Sequence, residues 1–141
     1  MKTTIDNIIE KFTLLKLKTC ADNLSPIMEL AKQKNWSSLQ IIEHLLDLEL
    51  ETREKNRITL RFKQSKLFEK PTIDQFNFNF HDSRKKQKNR ILNLMGLEFI
   101  KQKKDIILIG NPGVGKSFLA KCIAYDAIQA SVKVSLLPLW I

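Results

Sequence analysis

The chain is poor in the residues that most often advertise a fold. Of 141 residues only two are cysteine, Cys20 and Cys122, about a hundred positions apart and outside any metal-ligand spacing. That excludes a disulfide scaffold and a zinc ribbon. Histidine is as scarce: His44 sits among apolar neighbours and His81 among polar ones, neither with a partner at ligand spacing, so both read as structural. No apolar run approaches the about 18–20 residues a membrane span needs, since even the C-terminal stretch from Val134 is broken by Ser135. The N-terminus lacks an apolar segment followed by a small-residue cleavage site, so the expected location is cytoplasmic. There is no internal repeat and no low-complexity tract.

What the chain does have is positive charge. Lys and Arg outnumber Asp and Glu by 24 to 15, a formal net charge of +9, and the sequence pI is about 9.7. Such an excess favours an anionic partner such as a nucleotide or nucleic acid. The excess is local: residues 82–104 carry eight basic and two acidic groups, a net of +6, whereas residues 1–81 carry thirteen and eleven. With 43% apolar and 28% charged residues, a packed core is expected.

Periodicity predicts helices first. Ile5, Ile8, Ile9, Phe12 and Leu15 recur at helical steps, and Lys18–Lys34 forms a second candidate in which Pro26 marks a start or a kink. A third helix is announced by a capping box at Ser37 and Gln40, with Trp36 and Ile41 placed as a hydrophobic staple. Its stripe of Leu39, Ile42, Leu46 and Leu50 continues, acidic residues first and basic residues after, until Pro71 is expected to stop it. Phe76, Phe78 and Phe80 then alternate with Asn77 and Asn79, as in an extended segment. Rings clamping this linker onto a core and rings stacking on bases are both compatible with that pattern. The basic run Arg84, Lys85, Lys86, Lys88, Arg90 leads into a helix through Ile91, Leu94, Met95 and Phe99. These cations suit the phosphates of double-stranded DNA, bound without sequence preference; the plainer reading is a solvated helix N-terminus.

The pattern changes at Asp105. Ile106 to Ile109 is a short β-branched apolar run, as in a buried parallel strand. It enters Gly110-Asn111-Pro112-Gly113-Val114-Gly115-Lys116-Ser117, which satisfies G-x-x-x-x-G-K-[ST], and Phe118 to Ala130 then reads as helix before a second strand at Val132–Val134. Strand, glycine loop, helix and strand together describe a Walker A phosphate loop. The glycines free the backbone to turn its amides on a phosphate, Lys116 supplies a point charge for the β- and γ-phosphates, and the Ser117 hydroxyl is placed to ligate Mg²⁺ of a bound nucleotide. After Ser117 the only carboxylate is Asp126, within the helix. No Walker B strand is identifiable, so the ATPase constellation reads as incomplete and hydrolysis by this chain is not assigned.

Four stretches in one order carry a family resemblance: Leu15-Lys16-Leu17; Arg53-Glu54-Lys55-Asn56-Arg57 continuing to Leu60-Arg61-Phe62-Lys63; Thr72-Ile73-Asp74-Gln75-Phe76-Asn77-Phe78; and Ile107 to Ser117. In these the chain resembles the IstB family, the DnaC-like AAA+ helper ATPases of insertion-sequence transposition. The resemblance implies an α plus α/β architecture: an N-terminal helical domain (1–71), a linker with the basic amphipathic helix (72–104), and the first βαβ unit of a P-loop NTPase module (105–141). It implies ATP and Mg²⁺ as cofactors, DNA and a transposase as partners, and self-association. ATP over GTP comes from the resemblance alone. Family members continue well past Val134, whereas this chain departs at Ser135-Leu136-Leu137-Pro138-Leu139-Trp140-Ile141; a truncated N-terminal part is therefore expected. A helicase loader of the DnaC type, a non-catalytic DNA- or protein-binding adaptor and a decayed remnant are the alternatives. A P-loop kinase would carry its loop nearer the N-terminus.

Overall fold

The computed structural model describes residues 2–137. By internal contacts the chain groups into two compact units, one up to Asn56 and one from Arg57 onward, the division falling inside a long helix.

The first unit holds α1 (Thr4–Leu14), α2 (Lys18–Lys34) and most of α3 (Ser38–Ser65). Thr3 caps α1 through a capping box: its amide donates to the Asp6 carboxylate at 2.8 Å, and the Asp6 amide donates back to the Thr3 hydroxyl. The Thr3 hydroxyl, which donates to the Asp6 carboxylate at 2.7 Å, and after it the Thr3 amide hold the Asp6 carboxyl below the ordinary carboxylate range. Lys16 then takes a left-handed conformation, and the Leu17 amide donates to the Phe12 carbonyl at 2.8 Å, closing the helix end in the Schellman manner. α2 runs unbroken past Pro26 and buries Cys20, Ala21, Leu24, Ile27 and Ala31. These spacings form one stripe, which packs on Leu45 of α3 with Ile9, Phe12, Trp36, Ile41 and Leu48 around it. The expected box at the start of α3 forms as predicted, Ser37 N–H donating to the Gln40 side chain at 2.8 Å and Gln40 N–H to the Ser37 hydroxyl at 3.3 Å.

Glu49 is the unexpected member of this core. In the sequence it is one of the acidic residues in the first half of α3, yet it is only 6% exposed. It accepts the Cys20 amide of α2 and the Arg53 Nε, while Arg53 also donates to the Lys16 carbonyl at 3.1 Å.

In the second unit α3 ends at Ser65, six residues before Pro71. The Ser65 hydroxyl bonds back to the Phe62 carbonyl and accepts the Leu67 amide, and Lys66 turns left-handed. Local capping ends the helix before proline can. A 3-10 turn at Ile73–Gln75 follows, then α4 (Asp82–Lys86), α5 (Lys88–Met95), α6 (Glu98–Lys101) and α7 (Lys116–Gln129). The single helix expected after the basic run is thus three short ones. Gln87 interrupts it first, and the Gly96 cap with a left-handed Leu97 interrupts it again. The three phenylalanines do not lie along a strand either. The turn brings Phe76 and Phe78 edge to face, ring centroids 5.0 Å apart.

The larger correction concerns the βαβ unit. α7 is present, but among the described residues no strand forms at 106–109 or at 132–134. A strand exists only by pairing, and two parallel strands are marginal without further neighbours. Here Val132 N–H closes the end of α7 on the Ala127 carbonyl, and Leu136 N–H donates to the Ser65 carbonyl at 3.0 Å. Among the described residues the first segment has no partner strand, with Ile107 82% and Ile109 91% exposed. The apolar tail singled out from the sequence is described only as far as Leu137; Pro138 to Ile141 lie outside the described residues.

Candidate functional site

The glycine loop joins the unpaired 106–109 segment to α7. Gly113 and Gly115 both have positive φ, +81° and +93°. A Cβ at Gly113 would meet open space, so conformation alone demands glycine there. At Gly115 there is a second demand: a Cβ would lie 2.8 Å from the Arg84 Nη2 and 2.8 Å from the Phe76 Cε2.

Gly115 is also the N-cap of α7, and no side chain caps that helix. Its first amides are therefore left for another acceptor, at the end of the helix where the dipole favours an anion. Lys116 begins α7 and folds over the loop, Nζ donating to the carbonyls of Gly110 at 2.6 Å and Asn111 at 2.8 Å. Ser117 is exposed one residue on. The donor set, two left-handed glycine turns, uncapped helix amides and an ammonium, fits a phosphate group.

Behind the loop α7 is anchored by apolar packing. Leu119, Cys122, Ile123, Ala124, Ala127 and Ile128 are buried, and Tyr125 meets Phe62 of α3 edge to face at 6.1 Å. Lys121 forms an ion pair with Glu69. Burial pushes the Cys122 thiol up to about 11, Asp126 adding to the effect. Asp126, half-buried on α7, is itself raised by burial and then by the charge of Asp74. Among the described residues no group of three or more His, Cys, Asp or Glu is arranged to hold a metal.

The basic run divides. Lys85, Lys86, Lys88 and Arg90 are exposed, Lys88 lying over the Phe78 ring at 5.6 Å. Arg84 alone is half-buried, and it faces the phosphate loop. Its Nε donates to the Val114 carbonyl at 2.8 Å and its Nη1 to the Asn77 carbonyl at 3.0 Å. Its guanidinium lies over the rings of Phe76 at 4.3 Å and Phe80 at 5.0 Å. Phe76 in turn stacks on Phe118 in the first turn of α7, the planes 11° apart. Phe118 and this use of Arg84 escape a sequence reading, because the residues involved lie far apart in the chain and share no motif.

Comparison with known proteins agrees with the resemblance. The profile of the IstB-like ATP binding protein family matches residues 10–139. A protein of insertion sequence IS232 from Bacillus thuringiensis subsp. berliner, named for ATP binding, is 30% identical over 92% of this chain and 51% of its own length. One of IS5376 from Geobacillus stearothermophilus, named likewise, is 34% identical over 84% of this chain and 47% of its own. One of IS21 from Pseudomonas aeruginosa is 30% identical over 89% and 46% respectively. The chain is thus similar to insertion-sequence proteins named for ATP binding. It belongs to the IstB-like ATP-binding protein family, and it spans about half the length of the curated relatives it matches.

Proposed function

We propose that this chain binds ATP at the Gly110–Ser117 loop as a helper of DNA transposition, with Mg²⁺ held through the bound nucleotide and the Ser117 hydroxyl. The observation that carries the reading is the loop itself. Two left-handed glycines open onto an uncapped helix N-terminus beside a lysine that already bonds loop carbonyls. In this reading the amides of α7 take the β-phosphate and Lys116 leaves its carbonyl partners for the β- and γ-phosphates. The sequence after Ser117 offers no identifiable Walker B carboxylate, so binding rather than turnover is the step proposed for these residues. Asp126, committed to α7 and partly buried, is not that group.

Lys85, Lys86, Lys88 and Arg90 form the surface offered to double-stranded DNA without sequence preference, their exposure leaving the cations free to meet phosphates. A transposase is the protein partner that the insertion-sequence relatives suggest, with self-association as in the family and a cytoplasmic setting. No helix among the described residues is long and apolar enough to cross a membrane.

The test is equilibrium binding of a fluorescent ATP analogue with Mg²⁺ to the purified chain, beside Lys116→Ala. Binding in the micromolar range that weakens at least tenfold in the variant is the expected result. A folded, helical sample that binds no nucleotide, or binds it equally with the variant, would overturn the reading.

A further inference from the structure

We infer that Arg84 is a positioning residue for the phosphate loop, holding the Val114 carbonyl so that the next amide, that of Gly115, is aimed at a bound phosphate. The inference rests on the nucleotide reading for its purpose, but the contacts it starts from are independent of any ligand. A trans peptide is planar, with its C=O and N–H pointing in opposite directions. Arg84 Nε fixes the Val114 oxygen on the linker side at 2.8 Å, so the N–H of the same peptide is turned to the opposite side of the loop. Without that hydrogen bond the 114–115 peptide is free to flip, because the positive φ of Gly115 lies in a region glycine enters and leaves at little cost.

The guanidinium is itself immobilised. It lies over Phe76 and Phe80 and is tied by Nη1 to the Asn77 carbonyl, in the turn where Asn79 N–H also bonds the Asn77 side chain. Phe76 is buried and stacked on Phe118, so the support reaches α7 directly. Nη2 and the Phe76 ring edge together back Gly115 closely enough that no side chain fits between. Planarity and several donors in a fixed fork are what this place uses, and a lysine supplies neither. The arrangement also separates Arg84 from its neighbours in the run: they face solvent, and it faces the loop.

The experiment uses backbone ¹⁵N relaxation on the full chain without nucleotide, in wild type and Arg84→Lys, followed by the fluorescent-nucleotide titration with Lys116→Ala alongside. In wild type the amides of Gly113, Val114, Gly115 and Lys116 should show order parameters near those of rigid backbone, about 0.85, and in Arg84→Lys should fall below about 0.6. Those of α1 and α2 should stay unchanged. Nucleotide affinity should drop about tenfold. Unchanged order parameters at 113–116 overturn the inference, as does undiminished affinity in Arg84→Lys where wild type binds and Lys116→Ala does not. If wild type and Lys116→Ala fail to bind alike, the nucleotide reading falls while the relaxation comparison still decides the role of Arg84. Should Arg84→Lys lose its helical circular dichroism, Phe80→Ala, which removes one ring on the exposed side of the guanidinium, is read in its place by the same criterion.

Discussion

Glu49 of α3 accepts the backbone N–H of Cys20 at 3.3 Å, so a carboxylate from one helix caps the first turn of another. α2 has no cap of its own: Leu17 precedes it and offers no side-chain acceptor. Arg53, one turn beyond Glu49, completes the arrangement by neutralising the carboxylate at 2.9 Å and reaching back to the Lys16 carbonyl. The Arg53 hydrogen bond is the main reason the Glu49 carboxyl is held below the ordinary range. A depressed folded-state pKa contributes stability that is fully present above the unfolded value, about 4.3, and is lost as pH falls through the folded one. Glu49→Gln should therefore lower the urea midpoint at pH 7, and the gap from wild type should be smaller at pH 3. A gap of equal size at both pH values would sink this account.

Gly115→Ala should be the most damaging small change in the loop. The left-handed conformation alone costs a non-glycine residue about 1–2 kcal/mol. The new methyl would also press on Arg84 and Phe76. Gly113→Ala carries the conformational cost without the collision. Thermal unfolding of the two variants should rank Gly115→Ala below Gly113→Ala; the reverse order would contradict the packing described.

The loop and the start of α3 were legible in the sequence because their causes are local. Ser37 and Gln40 are three residues apart, and Gly113 and Gly115 announce their own backbone angles. The end of α3 was misread since Pro71 is a conspicuous breaker, whereas Ser65 and Lys66 stop the helix through a hydroxyl and one left-handed residue. The roles of Glu49 and Arg84 are hidden for another reason. Each looks like one more charge in a charged run, and only the partner, about thirty positions away, distinguishes it. The expected strands at 106–109 and 132–134 fail on the same ground, since β-branched composition proposes a strand but a neighbour has to accept it.

Both thiols should be inert in the native protein. Burial is the first cause raising Cys20 and Cys122, and Cys122 is fully enclosed. Alkylation by iodoacetamide at pH 8 should be slow for both and become fast in denaturing urea, since the thiolate is the reactive form. Rapid labelling of Cys122 without denaturant would show that α7 is not packed as described.

Replacing Lys85, Lys86 and Lys88 by glutamine should weaken duplex DNA binding about equally for unrelated sequences. The slope of log affinity against log salt should become shallower by about 0.9 for each phosphate contact removed. Arg84→Lys, which keeps the charge, should leave that slope alone. An unchanged slope in the triple variant would move the DNA surface elsewhere.

The unpaired segment at Ile106–Ile109 has a consequence for handling the protein as a material. It is short, apolar and uncharged, with Ile107 and Ile109 facing solvent, the composition of a sequence that seeks backbone partners on other molecules. The +9 net charge keeps copies apart in dilute buffer, and added salt screens it. Scattering should therefore rise with ionic strength, most steeply between copies in which Ile107 and Ile109 remain isoleucine, and Ile109→Lys should suppress it. If the basic surface holds DNA as proposed, the salt that would release it is then the salt that brings the chains together.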